Sequence, residues 1–278
     1  MAIVFSDLDG TFLTPDKRVH PLNRRALEAL AVSGGQFVIC TGRPLSGIPA
    51  ELRDLPGARY AVCVNGAVVV DLDAVRAGGD GVVHARPMGH RRAVSFYRAV
   101  AHLDIEIDIM ADGGAFAERR RFERLSTYGL APGFLDQIRR SRTVVDEPLD
   151  EVAGRLGRVD RVSVYYHTPE ERDECVAAVD ADPTLSWTSS ESCNLEISDA
   201  GASKGSALEW LCGHLSVPVA QSVAFGDGMN DTSMLAAAGT GVAMANAQPG
   251  VATYADASTR LSNAEGGVGE WLLSMIQA

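Results

Sequence analysis

The chain has 278 residues, 46% of them apolar, and a formal net charge of −11. That length leaves room for two cores, while the charge argues against a nucleic-acid surface or an anionic membrane as partner. No apolar stretch reaches the roughly 20 residues that span a bilayer, and no signal peptide or obligate protein partner is inferred. The five cysteines lack paired spacing and read as reduced thiols of a cytoplasmic protein.

The apolar run Ala2 to Phe5 opens a predicted strand, Ile3 to Asp7. Directly behind it stands Asp7-Leu8-Asp9-Gly10-Thr11. Side chains alternate along a strand, so Asp7 and Asp9 leave its end on the same side. Gly10 lets the backbone turn, and Thr11 can cap the next segment. Pro21 to Ala31 reads as a helix with Leu22, Ala26, Leu27 and Leu30 on one face. Gln36 to Cys40 is a second strand, ending in Thr41-Gly42-Arg43. Tyr60 to Val64 is a third, and its Asn65-Gly66 predicts a hairpin into Ala67 to Val70.

From about Val82 to Ser186 the pattern changes. Val94 to Leu103 suggests a helix, and Asp104 to Met110 alternates polar with apolar before turning into Ala115 to Glu118. Arg161 to Tyr166 is a strand. Thr168-Pro169-Glu170-Glu171 opens a helix with an N-cap, an N1 proline and a capping-box glutamate. Leu185 to Ser189 and Asn194 to Ile197 read as strands. The densest basic cluster, Arg119-Arg120-Arg121 with Arg124, reads as a solvated face rather than a ligand site. Strand and helix then alternate again. Lys204 to Leu215 is helical, Ser222 to Phe225 is a strand ending in Gly226-Asp227-Gly228, and Asp231 to Ala238 is helical. Gly241 to Ala243 is a strand and Gly269 to Ile276 a closing helix. The expected fold is α/β: a Rossmann-like, mainly parallel sheet with helices on both faces, built from 1–82 and 187–278, with an α+β cap inserted at 83–186.

Open α/β sheets place active sites at the carboxyl ends of their strands. Of two carboxylates there, one can attack as a nucleophile while the other moves protons. Gly226-Asp227-Gly228-Met229-Asn230-Asp231 brings further acids to the same edge. Asp7 and Asp227, with a carbonyl from Asp9, suit Mg2+, which takes about six oxygens. A hydroxyl and free N–H groups at Thr41-Gly42-Arg43 suit a phosphate oxygen. The 25 basic residues comprise 23 arginines and only two lysines, Lys17 and Lys204. In a chain that otherwise writes Arg, Lys204 at a helix start reads as a compact charge for a phosphoryl group.

These motifs, in this order and spacing, resemble the haloacid dehalogenase-like phosphatases. Asn65-Gly66-Ala67, Val242-Ala243-Met244-Ala245-Asn246-Ala247 and Gly266-Gly267-Val268 are similar to the Cof-type sugar-phosphate branch. Phe12 departs from the leucine usual after the Asp-Gly-Thr step. The resemblance implies that Asp7 attacks phosphorus and becomes an aspartyl-phosphate. Asp9 would protonate the leaving alcohol and then activate water. Thr41 and Gly42 would hold phosphoryl oxygens, and Lys204 would neutralise charge. Asp227 would ligate Mg2+, with Asp231 acting directly or through water. Asn230 would orient Lys204 or touch phosphate, while Arg43, Asn65 and Asn246 would contact substrate. The expected partner is a small phosphorylated metabolite, a sugar or polyol first. The alternatives are a phosphotransferase or mutase using the same intermediate, and a non-catalytic phospho-acceptor or binding module.

Overall fold

The computed structural model describes residues 3–130 and 132–277; Ala2, which begins the expected apolar run, lies outside them. The chain opens with β1 (Ile3–Asp7), β2 (Gln36–Cys40), β3 (Ala58–Cys63), β4 (Val68–Asp71) and β5 (Val82–Ala85). A second sheet takes β6 (Glu106–Ala111), β7 (Gly114–Glu118), β8 (Thr143–Val145), β9 (Val159–Tyr165), β10 (Leu185–Thr188) and β11 (Asn194–Asp199). The chain then supplies β12 (Ser222–Gly226), β13 (Thr240–Ala243) and β14 (Ala257–Ser258). The first sheet runs β14-β13-β12-β1-β2-β3-β4-β5, the second β10-β11-β9-β6-β7-β8.

In the first sheet, pairing is parallel from β14 through β3, and β4 and β5 add on antiparallel. Parallel strands are buried on both faces, and all five residues of β1 are. One face packs Ile3, Phe5, Val38 and Ala224 against Ala207, Leu208 and Leu211 of the helix Lys204–His214. On the other face Phe225 meets Trp271 of the helix Gly267–Gln277 edge-on, with ring centroids 5.3 Å apart. The chain departs from β1 toward β2 and β3 on one side and from β12 toward β13 and β14 on the other. β1 and β12 therefore flank the switch point at which such sheets bind ligands. The predicted hairpin after β3 forms, but its loop is longer than Asn65-Gly66 alone, since Cys63 pairs with Val68.

The two sheets lie in two compact units. One comprises the chain up to Gly42, Ile48–Ala85 and the chain from Ser203 on; the other comprises Arg43–Gly47 and Arg86–Ala202. The expected insert, 83–186, is thus extended to Ala202, because β10 pairs with β11 and β11 with β9. It also gains Arg43–Gly47, where the Ser46 N–H donates to the Gly113 carbonyl at 3.0 Å.

The second sheet is two-faced. Ile107 and Ile109 of β6 join Val162 and Val164 of β9 in an apolar core with the helix His90–Val100. The opposite face carries Glu106, Asp108, Arg161, Ser163 and Glu196, all buried. The expected capping box at Thr168 and Glu171 is present. The arginine cluster is absorbed structurally: Arg119 pairs with Asp146, Arg124 with Asp104, and Arg121 donates to the carbonyls of Ala101, Leu103 and Ile105.

On that polar face the Arg142 guanidinium donates twice to Asp108 Oδ2, at 2.9 and 2.7 Å. Glu106 has one carboxyl oxygen without a hydrogen-bond partner. Burial, then repulsion from Asp108, pushes its carboxyl up to about 9. The folded protein therefore holds a proton there that the unfolded chain releases near the ordinary glutamate value of about 4.3. Stability from this group is full below that value and is lost as pH rises toward 9, at up to about 1.4 kcal/mol per pH unit. Glu106→Gln removes that dependence. Melting curves from pH 5 to 9 should show the variant gaining steadily on wild type; parallel curves would contradict the assignment.

Candidate active site

β1 and β12 run in register from Ile3 with Ser222 to Ser6 with Phe225. Asp7 and Asp227 consequently leave adjacent strand ends side by side. Gly10, at φ +89°, allows the close approach: a Cβ there would lie 2.3 Å from Asp227 Oδ2. The Thr11 hydroxyl donates to Asp227 Oδ1 at 2.6 Å.

Lys204 reaches the same point from the start of its helix, capped by Ser203 and Ser206. Gly66, at φ +98°, lets that helix begin against the β3–β4 turn, since a Cβ would meet the Ser203 carbonyl at 2.0 Å. The fully buried Lys204 ammonium donates to Asp7 Oδ1 at 2.7 Å and to Asp231 Oδ1 at 2.6 Å. Asp231 Oδ2 accepts from the N–H groups of Asp227 and Gly228, each at 2.9 Å. Both Asp231 oxygens are thus engaged by protein donors, so this residue ties Lys204 to the Asp227 loop.

The site is short of positive charge. Burial holds the Asp7 carboxyl well above its ordinary range; Lys204 opposes this, and Asp231, Asp227 and Asp9 add to it. Asp227 is pushed up to about 7 by burial and by Asp231, against the Thr11 hydrogen bond. Burial alone would lower Lys204, but Asp231 and Asp7 outweigh it and raise the ammonium. Oxygens of Asp7, Asp227 and Asp231 lie within 4.8 Å of one another, an oxygen-only set that fits a hard divalent cation in kind.

Thr41, buried at the end of β2, accepts through its carbonyl from the Asn65 N–H at 3.1 Å. Gly42 follows it. The Asn230 amide donates to Asn65 Oδ1 at 3.2 Å. Val64 and Asn65 both sit at left-handed φ, 52° and 53°, an outlier for a β-branched residue and a store of local strain. Asn246 donates to the Gly10 carbonyl and accepts from the Asn263 N–H, both at 2.8 Å, so its amide braces the Asp7–Thr11 loop. Arg43 lies in the second unit and donates to the Gly47 carbonyl and to Gln137, both at 3.0 Å.

Three site residues escape a reading of the sequence. Thr11 reads there as a cap, but its partner is Asp227, across the sheet. Asn23 and Asn263 donate to the carbonyls of Phe12 and Leu13, each at 2.7 Å. Phe12 itself is buried against Phe37, centroids 4.9 Å apart, so the departure from leucine is a core exchange.

Lys17, the other lysine, sits in the turn that joins Leu13 to Val19. The Lys17 N–H closes the turn on the Thr14 carbonyl at 2.8 Å, with Lys17 at φ 62°. Glycine or asparagine is the residue for such a position; a longer side chain costs about 1–2 kcal/mol there. The Lys17 ammonium lies 2.7 Å from Asp9 Oδ1. Both side chains are partly exposed, and such ion pairs contribute about 0–1 kcal/mol. The pair does not offset its turn.

Asp7, Asp227, Asp231 and the buried Lys204 thus gather at adjacent carboxyl ends of a doubly wound sheet, where α/β folds place their sites. A family model for the haloacid dehalogenase-like hydrolases matches residues 4–272, and the chain belongs to that family. It is similar to phosphatase YwpJ of Bacillus subtilis, 26% identical over 99% of this chain and 100% of that protein. It is also similar to pyridoxal phosphate phosphatase YbhA of Escherichia coli, 29% identical over 91% of each chain. A solved haloacid dehalogenase-like hydrolase from B. subtilis superposes with a TM-score of 0.80 at 25% identity, covering 98% of this chain and 99% of that one. Within its family the protein is a phosphatase. Among the described residues no helix is long and apolar enough to cross a membrane.

Proposed function

We propose that this phosphatase hydrolyses small phosphorylated metabolites, phosphorylated sugars or polyols foremost, through an aspartyl-phosphate at Asp7, with Mg2+. The observation that carries the reading is the buried Lys204 bridging Asp7 and Asp231 beside Asp227 at the switch point. The match to a pyridoxal phosphate phosphatase adds that compound to the candidate substrates. The five free cysteines support a reducing, cytoplasmic setting.

In the first step an Asp7 carboxylate oxygen bonds to phosphorus as the bond to the substrate oxygen breaks. Asp9 gives its proton to that oxygen, so the alcohol leaves neutral and Asp9 becomes a carboxylate. In the second step Asp9 takes a proton from water as the water oxygen bonds to phosphorus and the bond to Asp7 breaks. Inorganic phosphate leaves, and both aspartates return to their starting forms. Thr41 and the Gly42 N–H hold phosphoryl oxygens, and Lys204 balances the charge on Asp7. Mg2+, which Asp7, Asp227 and the Asp9 carbonyl would hold, supplies positive charge against the phosphoryl oxygens. Uncatalysed hydrolysis of phosphate monoesters is slow enough that enzymes accelerate it by up to about 10²¹. Acid–base help gives only about 10²–10⁴, so positioning and charge carry the remainder.

The test is phosphate release from a panel of phosphorylated sugars, polyols, nucleotides and pyridoxal phosphate. Turnover is expected with Mg2+, is lost in excess chelator and returns on adding Mg2+. Full turnover in excess chelator would contradict the metal assignment.

A further inference from the structure

We propose that Asn65 is a positioning residue that acts through Asn230, holding the Asn230 amide where it donates to the phosphoryl group, and is not itself a substrate contact. It rests on the phosphoryl chemistry proposed above, with Asn230 as a donor to a phosphoryl oxygen. Lys204 is held by Asp7 and Asp231, and no hydrogen bond joins it to Asn230 among the described residues. Of the two partners the motif offers Asn230, that leaves the phosphoryl group.

The Asn230 amide is confined from two sides. One of its N–H groups donates to Asn65 Oδ1 at 3.2 Å. Its own Oδ1 lies beside Gly228, where a Cβ would come within 2.6 Å of it. Together the two contacts fix the plane of the amide. A side-chain amide nitrogen carries two N–H donors, and the second has no protein partner among the described residues. That donor belongs to the loop that also carries Asp227 and Asp231, and Asn65 sets its direction.

The backbone that delivers Asn65 is strained. Val64, Asn65 and Gly66 follow one another at positive φ, 52°, 53° and 98°. Asparagine tolerates the left-handed region and valine does not. Such strain persists where the surroundings over-determine it, and this turn touches three segments of the site at once. The Asn65 N–H donates to the Thr41 carbonyl at 3.1 Å. Gly66 lies against the Ser203 carbonyl, where the Lys204 helix begins. Asn65 Oδ1 accepts from Asn230. Glycine at position 65 would serve the backbone equally well. The buried side chain is therefore what calls for a role, and its bond to Asn230 ties it to the Asp227 loop.

The experiment is a double-mutant cycle of Asn65→Gly and Asn230→Ala, with kcat and KM measured on an alkyl phosphate and on p-nitrophenyl phosphate. Asn230→Ala removes a donor to the charge that develops in the transition state, and kcat should fall about 10²-fold. Asn65→Gly suits the left-handed backbone, so it should melt close to wild type. It misplaces the Asn230 donor, and kcat should fall about tenfold with KM nearly unchanged. The factor should be the same on both substrates, because they share the phosphoryl group and differ in what leaves. The double variant should fall no further than Asn230→Ala, since Asn65 acts through that residue. A double variant slower by the product of the two losses, about 10³-fold, would overturn the proposal. So would a rise in KM that differs between the two substrates, which is the result a direct contact with the leaving group gives. With Asp7→Asn inactive, wild-type kcat in Asn65→Gly or in Asn230→Ala overturns this proposal alone. Should phosphate release survive Asp7→Asn, the underlying chemistry fails instead.

Discussion

Asp7→Asn should abolish phosphate release while leaving the protein folded. The substitution keeps the shape of the side chain and one oxygen for Lys204 Nζ, which lies 2.7 Å from Asp7 Oδ1. It removes the only atom that the reading lets bond to phosphorus. The expected loss in kcat is about 10³-fold or more, roughly 4 kcal/mol of barrier. Stability should change little. The carboxylate is buried and repelled by Asp231, Asp227 and Asp9, and its attraction to Lys204 works the other way. A thermal melt beside the rate assay separates lost chemistry from lost fold. Retention of more than a tenth of the wild-type rate in a folded variant would remove Asp7 from the role of nucleophile.

Lys204→Met has the second largest expected effect, and it falls on stability as well as rate. Methionine fills a similar volume, but Asp7 and Asp231 lose the cation they share. Removing one partner of a buried ion pair costs about 3–5 kcal/mol. At a few degrees per kcal/mol for a chain of this size, the unit holding the site should melt on the order of 10 °C lower. Added Mg2+ should recover part of that loss, because a cation bound only by the folded state stabilises it. It should not recover activity, since the charge that balances Asp7 would still be missing. A variant that melts with wild type would mean that the Asp7–Lys204–Asp231 cluster contributes no net stability.

Legibility of the fold and site in the sequence depends on the range of the interactions. The strand ends are readable, because Ile3 to Asp7 and Ser222 to Phe225 are short apolar runs followed by glycine and aspartate. Parallel pairing in a doubly wound sheet then forces the two acidic motifs together. Lys204 is readable by contrast with an arginine-rich background. The Thr11–Asp227 bond is not, since it links residues 216 apart and a hydroxyl in a turn looks like a cap. The bracing amides of Asn23 and Asn263 escape for the same reason: their acceptors are backbone carbonyls, which no residue pattern marks. The end of the second unit differs from its expected place because β10 spans the expected boundary at 186 and β11 follows it, and their pairing with each other and with β9, which no local pattern marks, carries them into the second sheet. Arg43 groups with Thr41 and Gly42 by adjacency alone, yet the unit boundary falls between Gly42 and Arg43.

The most direct measurement is to find the phosphoryl group on the protein. Asp9→Asn should slow attack by water while still permitting attack on p-nitrophenyl phosphate. Acid quenching during the first turnover, followed by mass mapping of peptides, should then place a hydroxylamine-labile phosphoryl group on the peptide containing Asp7. Label on another residue, or repeated turnover by this variant with Asp7 never labelled, would contradict the account.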